Sequence, residues 1–158
     1  MAKEIATFGA GCFWGVQKSF DELQGVLKTT VGYIGGKTKN PTYDQVCTHT
    51  TGHAEAIEIE YGPKIISYEN LLEHFFKIHN PTQLNKQGPD VGSNYRSAVF
   101  YHDKIQKKQA EEFIKKLNES KKYTKPVATT LEKASQFYPA EEYHQKYYKK
   151  NDFFACHI

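Results

Sequence analysis

The chain has 158 residues, long enough to bury a substantial core, and is expected to form one domain over residues 1–158. Hydrophobic residues make up 39% and aromatics 14%, which excludes intrinsic disorder; a net charge of +3 is too mild to select a partner class. No apolar run reaches the length of a membrane helix, and the opening MAKEIATFGAGCFWG lacks the long apolar centre of a signal peptide. A cytoplasmic protein with reduced thiols is therefore expected, and three cysteines cannot all pair within one chain.

Residues Lys3 to Phe8 read as a strand, which Gly9-Ala10-Gly11 then breaks. Phe13, Val16, Phe20 and Leu23 recur at helical spacing, and Gly25 closes that helix. Val26 to Tyr33 is rich in β-formers and ends at Gly35-Gly36, where a polar loop runs to about Pro41. A short helical turn covers Tyr43 to Cys47. Residues 54–61, AEAIEIEY, alternate cleanly as a strand, stopped by Pro63. Ser67 caps a helix whose Leu71, Leu72, Phe75, Phe76 and Ile78 share one side.

A loop from Asn80 to Asn94 leads into a strand, Tyr95 to Tyr101. Asp103 with Gln106 has the spacing of a capping box for a long helix to about Asn118. A strand near Thr129 to Lys133 and a short helix from Glu141 complete the series. The order β-α-β-β-α-β-α-β predicts a two-layer α/β sandwich with a ferredoxin-like core and a coil-rich C-terminal tail.

Chemistry concentrates at Gly9-Ala10-Gly11-Cys12-Phe13-Trp14-Gly15. A cysteine at the first position of a helix meets free amide N–H groups and the positive end of the helix dipole, which together stabilise a thiolate. Phe13 starts the apolar stripe, whereas Trp14 lies off it and can wall a pocket for an apolar substrate group. Glu55 shares a strand face with Ile57, Ile59 and Tyr61, while Glu58 and Glu60 fall on the opposite, solvent side. A carboxyl on the apolar face is desolvated and stays protonated near neutrality, as a general acid requires. If the strand start is uncovered, Glu55 simply meets water.

Asp90, Tyr95 and Arg96 gather in the loop QGPDVGSNYR, where Asp90 either orients a neighbour or stabilises its own turn. Cys156 is the third residue from the C-terminal end, in a tail that can reach a distant partner. Cys47, His49 and His53 match no zinc spacing, and no metal or other cofactor is expected. The Lys-rich stretch from Lys104 to Lys125 includes Glu111, Glu112 and Glu119 and reads as a solvated helix face, not a nucleic-acid surface.

Taken together, these runs resemble the A-type peptide methionine sulfoxide reductases. The resemblance begins at Gly11-Cys12-Phe13-Trp14-Gly15. It continues through Gly32-Tyr33, Gly35-Gly36, Pro41-Thr42-Tyr43 and Thr51-Gly52-His53-Ala54-Glu55. It extends to Asn80-Pro81-Thr82, Asp90 through Ser97, and Ala140 to Gln145. It implies reduction of methionine-S-sulfoxide, free or within proteins. Cys12 would be the nucleophile, Glu55 the proton donor, Tyr43 and Tyr95 donors to the sulfoxide oxygen, and Asp90 a support of that network. Phe13 and Trp14 would form the methyl pocket.

The resemblance also implies a Cys12 sulfenic acid, a transient disulfide and reduction by thioredoxin. The tail lacks the glycines common around the family's recycling cysteine, which counts against Cys156. A terminal segment moves more cheaply than the Cys47 region, however, so Cys156 is the favoured resolving thiol, with Cys47 or an external thiol as alternatives. The expected state is a monomer. Two other classes remain open from the residues alone: a cysteine hydrolase pairing Cys12 with a histidine such as His53, and a redox sensor that forms Cys12–Cys156 without turnover.

Overall fold

The computed structural model describes residues 3–147. Strand β1 (Glu4–Ala10) enters helix α1 (Phe13–Asp21), and β2 (Val26–Ile34) follows. A five-residue helix α2 (Tyr43–Cys47) precedes β3 (Ala54–Tyr61). Next come α3 (Tyr68–Lys77), a small hairpin of β4 (Lys86–Gln87) and β5 (Asp90–Val91), and β6 (Ser97–Tyr101). Helix α4 (Lys104–Glu119), β7 (Thr130–Lys133) and β8 (Tyr138–Pro139) close the series.

Six strands form one sheet in the order β7-β6-β1-β3-β2-β8. All pairs are antiparallel except β6 with β7. Each crossover through α1 or α3 skips one strand position, and a third strand fills the gap. The result is a mixed α/β fold built on a central sheet.

The period-2 alternation of the strands decides which side is covered. Ala6, Phe8, Ile57, Ile59 and Val99 are buried with Val16, Phe20, Leu71, Leu72 and Phe75 of the helices. Phe8 is the hub, stacking on Phe20 at 5.8 Å, on Tyr68 at 5.9 Å and on Phe75 at 4.8 Å between ring centroids. The opposite face is not simply solvated as the alternation suggests. Ile34, Ala54, Ala56, Ala98 and Phe100 form a second, smaller cluster under Ala134 and Phe137, and Glu58 and Glu60 are only part-exposed beyond it.

Several boundaries differ from the sequence reading for local reasons. Strand β1 continues through Gly9 and Ala10 instead of breaking there. A side chain at Gly9 would press on the carbonyls of Arg96 and Glu55 at 3.2 and 3.3 Å, so glycine permits close strand packing rather than a turn. The chain turns at Gly11, whose φ of +88° suits glycine.

Tyr95 lies in a 3-10 turn, Ser93–Tyr95, before β6 begins. The helix expected from Glu141 is a 3-10 turn, Glu142–His144. Asp103 caps α4 by accepting from the Gln106 N–H at 2.8 Å, but the Gln106 amide reaches the His102 N–H and the Ile5 carbonyl instead of closing a box. The full capping box belongs to Thr42 and Gln45 at α2.

The segment after β8 straps the edge of β2. The Ala140 N–H donates to the Val31 carbonyl at 2.9 Å. The Gln145 amide accepts from the Val31 N–H at 3.0 Å and donates to its carbonyl at 2.8 Å, acting as a one-residue strand partner. Gln17 of α1 accepts from the Lys146 N–H at 2.6 Å.

Removing the Phe8 ring leaves a cavity at the meeting point of three aromatic side chains. Phe8→Ala is expected to lower unfolding free energy by about 3–5 kcal/mol in urea titration, whereas the exposed Ile105→Ala should cost under about 1 kcal/mol.

Candidate active site

Cys12 is the N-cap of α1, one position before the first helical residue, with φ −56° and ψ 119°. The step from the sequence expectation is one residue, and the Cys12 side chain makes no capping hydrogen bond to the first-turn amides. Among the described residues, no disulfide joins Cys12 to Cys47.

Glu55 reaches this turn from β3, where it stands opposite Tyr33 and is only 1% exposed. Its Oε1 accepts from the Phe13 N–H at 3.3 Å, joining the carboxyl to the helix end that carries Cys12. The alternative of a water-facing Glu55 is thereby excluded. Burial chiefly, and the Glu55 charge second, push the Tyr43 and Tyr95 phenols above their usual range. Tyr33 is raised by burial first, then by Glu141 and Glu55. Burial also raises the Cys47 thiol, with the Glu55 charge adding to it and bonds to Tyr43 and Tyr95 opposing. Neutral phenols around a carboxyl are hydrogen-bond donors, which suits an oxygen-bearing substrate.

Asp90 contributes charge to Tyr95 from the β4–β5 hairpin. The Tyr95 turn is held from outside. Arg96 donates through Nε and Nη2 to the Glu132 carboxylate at 3.0 and 3.1 Å, and through Nη1 to the Ser93 carbonyl at 2.9 Å.

Phe13 is buried among rings, with centroids 5.9 Å from Tyr33, 6.4 Å from Tyr43 and 5.3 Å from His144. Trp14, half-buried, stacks on Tyr147 at 3.8 Å, and its Nε1–H donates to His144 Nδ1 at 2.9 Å. Since an indole N–H only donates, His144 carries its own proton on Nε2. Tyr33, Glu141, His144 and Tyr147 were not singled out as site residues from the sequence. All but Tyr147 fall inside or beside the motif runs, the one signal that points to them.

His53 does not serve Cys12. Its Nδ1 accepts from the Gly36 N–H at 3.0 Å, and its Nε2 donates to the Thr38 carbonyl at 2.7 Å, so both nitrogens hold the glycine loop. This removes the Cys12–His53 pair that the hydrolase reading needs. Among the described residues no cluster could hold a metal ion, and no helix is long and apolar enough to cross a membrane. Cys156 lies outside the described residues.

With this geometry in view, a family model described as peptide methionine sulfoxide reductase matches residues 4–158. The chain belongs to that family. It is 53% identical over 158 residues to the peptide methionine sulfoxide reductase MsrA of Acidobacterium capsulatum, covering all of both chains. It is 50% identical over 155 residues to that of Methanothermobacter thermautotrophicus, covering 98% of this chain and 92% of the relative.

Among solved structures, reduced Mxr1 of Saccharomyces cerevisiae superposes with a TM-score of 0.91 at 34% identity, covering 98% of this chain and 88% of that one. Methionine sulfoxide reductase A of Corynebacterium diphtheriae gives 0.86 at 34% identity, covering 98% and 77%. A further structure holds Mxr1 in complex with Trx2, with a TM-score of 0.66 and 26% identity, covering 98% and 86%. The chain is thus an oxidoreductase acting on methionine sulfoxide, a protein-repair activity tied to oxidative stress.

Trp14 is the sole tryptophan, so its fluorescence reports its contact with His144 directly. Burial lowers His144 below its ordinary 6.5, against a smaller opposing effect of Glu141. The neutral ring therefore accepts from Trp14 through neutrality and past pH 6.5, and loses that ability only as pH falls through the depressed value. A fluorescence titration should show its transition below pH 6.5, absent in His144→Gln. A transition at or above 6.5 contradicts the assignment.

Proposed function

We propose that Cys12 reduces methionine-S-sulfoxide, free or within proteins, and passes through a sulfenic acid. The observation that carries this reading is the buried Glu55 bonded to the first amide of the helix that Cys12 caps. The Cys12 thiolate attacks the sulfoxide sulfur while Glu55 gives a proton to the oxygen, a poor leaving group unless protonated. Tyr43 and Tyr95, kept neutral by burial, donate hydrogen bonds to that oxygen, and Asp90 supports the Tyr95 side. Phe13 and Trp14 receive the methyl group.

In the resulting adduct the substrate S–O bond breaks and the hydroxyl passes to the Cys12 sulfur as the new S–S bond breaks, so the substrate departs as methionine and Cys12 is left as the sulfenic acid. Condensation with a second thiol releases water and forms a disulfide, which an external dithiol reduces. Cys156 is the resolving thiol in this proposal. Thioredoxin is the reductant, supported by the related Mxr1 solved with Trx2. A thioredoxin-fed cycle belongs in a reducing compartment such as the cytoplasm. The single domain working as a monomer completes the proposal.

Turnover of a mixed-epimer substrate with dithiothreitol should consume the S epimer and leave the R epimer. Loss of the R epimer, or of neither, overturns the reading. Glu55→Gln should slow methionine formation about a hundredfold or more at neutral pH. Cys156→Ser should retain turnover with dithiothreitol and lose it with thioredoxin; normal thioredoxin-driven turnover removes Cys156 as the resolving thiol.

A further inference from the structure

Glu141 sits just after β8, with no part in the chemistry proposed above, yet its carboxylate and its backbone carbonyl together join three parts of the pocket. Its Oε1 accepts from the Tyr33 phenol at 2.8 Å, and its Oε2 accepts from the backbone N–H of Tyr43 at 3.0 Å. Its carbonyl accepts from the His144 N–H at 2.9 Å, which fixes the 3-10 turn presenting the His144 ring to Trp14. One residue therefore ties the start of α2, the buried end of β2 and the segment bearing the indole's partner. Burial alone would raise the Glu141 carboxyl, but the bonds from Tyr43, its own amide and Tyr33 hold it below the usual range.

We propose that Glu141 is a positioning residue for the reduction. Its carboxylate sets the spacing between Tyr43, on the oxygen side of the pocket, and Trp14, on the methyl side. The reasoning is geometric. Tyr43 N–H can only donate, so it requires an oxygen, whereas the Tyr33 phenol can donate or accept. A glutamine at 141 satisfies both partners by turning its oxygen to Tyr43 and its amide N–H to the Tyr33 oxygen. Alanine satisfies neither and frees α2 and the His144 turn to shift independently. Misplacement of catalytic groups by a fraction of an ångström is costly in rate even without loss of a reacting group.

The proposal rests on the roles given to Tyr43 and Trp14, so its test includes an arm that needs no substrate. In Glu141→Ala, Trp14 emission should shift at neutral pH, KM for methionine-S-sulfoxide should rise, and the single-turnover rate should fall by about tenfold. Glu141→Gln should keep emission near that of the native chain and stay within about threefold in both kinetic constants. Circular dichroism and thermal unfolding of each variant confirm that folded chains are compared. Native emission in folded Glu141→Ala overturns the proposal. Equal damage from Gln and Ala overturns the geometric reason in favour of a charge effect. Shifted emission with native turnover would leave Glu141 holding the rings and overturn the catalytic placement of Tyr43 and Trp14 instead.

Discussion

The hydrogen bond from the Phe13 N–H to Glu55 is the contact on which the site depends. It runs between two elements placed side by side by the sheet: the end of β1, where the chain turns into α1, and the start of β3. Glu55 reaches it because β3 alternates, with Ile57, Ile59 and Tyr61 of the same face sealed beneath the helices. The turn reaches it because Gly9 lets the strands close up and Gly11 takes a backbone angle open to glycine. A buried carboxyl and a thiol at a helix N-terminus are each unfavourable or reactive alone. In the proposed mechanism they place a proton source beside a nucleophile without a histidine between them.

The second constraint comes from the far end of the described chain. Residues 138–147 add no large apolar surface, yet they close the pocket by polar bonds. Gln145 completes the β2 edge, His144 aligns Trp14, and Glu141 reaches Tyr33 and Tyr43. The residues around Cys12 thus come partly from the sheet and α1 and partly from the segment late in the chain. Beyond this strap comes the tail that carries Cys156.

Periodicity exposed much of this architecture in advance. The alternation of residues 54–61 put Glu55 on the covered face, and the helical stripe from Phe13 put α1 where it is. The short helix over Tyr43–Cys47 was expected, but its Thr42–Gln45 box went unread, as did the β4–β5 hairpin and β8, because two-residue strands leave no period to detect. The roles of Glu141 and His144 were hidden for a different reason. Their partners lie 98 to 130 positions away. A polar run such as Ala140 to Gln145 reads only as the start of a short helix until the fold brings β2 and α1 to it. Family resemblance named the substrate, a conclusion that neither spacing nor the geometry of the pocket reaches alone.

The central claim is that Cys12 itself takes the oxygen from the substrate. A chain carrying Cys47→Ser and Cys156→Ser retains Cys12 as its only thiol. Mixed with methionine-S-sulfoxide in the presence of dimedone and no reductant, it should release one methionine per chain and yield a dimedone adduct mapped by mass spectrometry to Cys12. Methionine release without that adduct, or an unreacted substrate, would contradict the account.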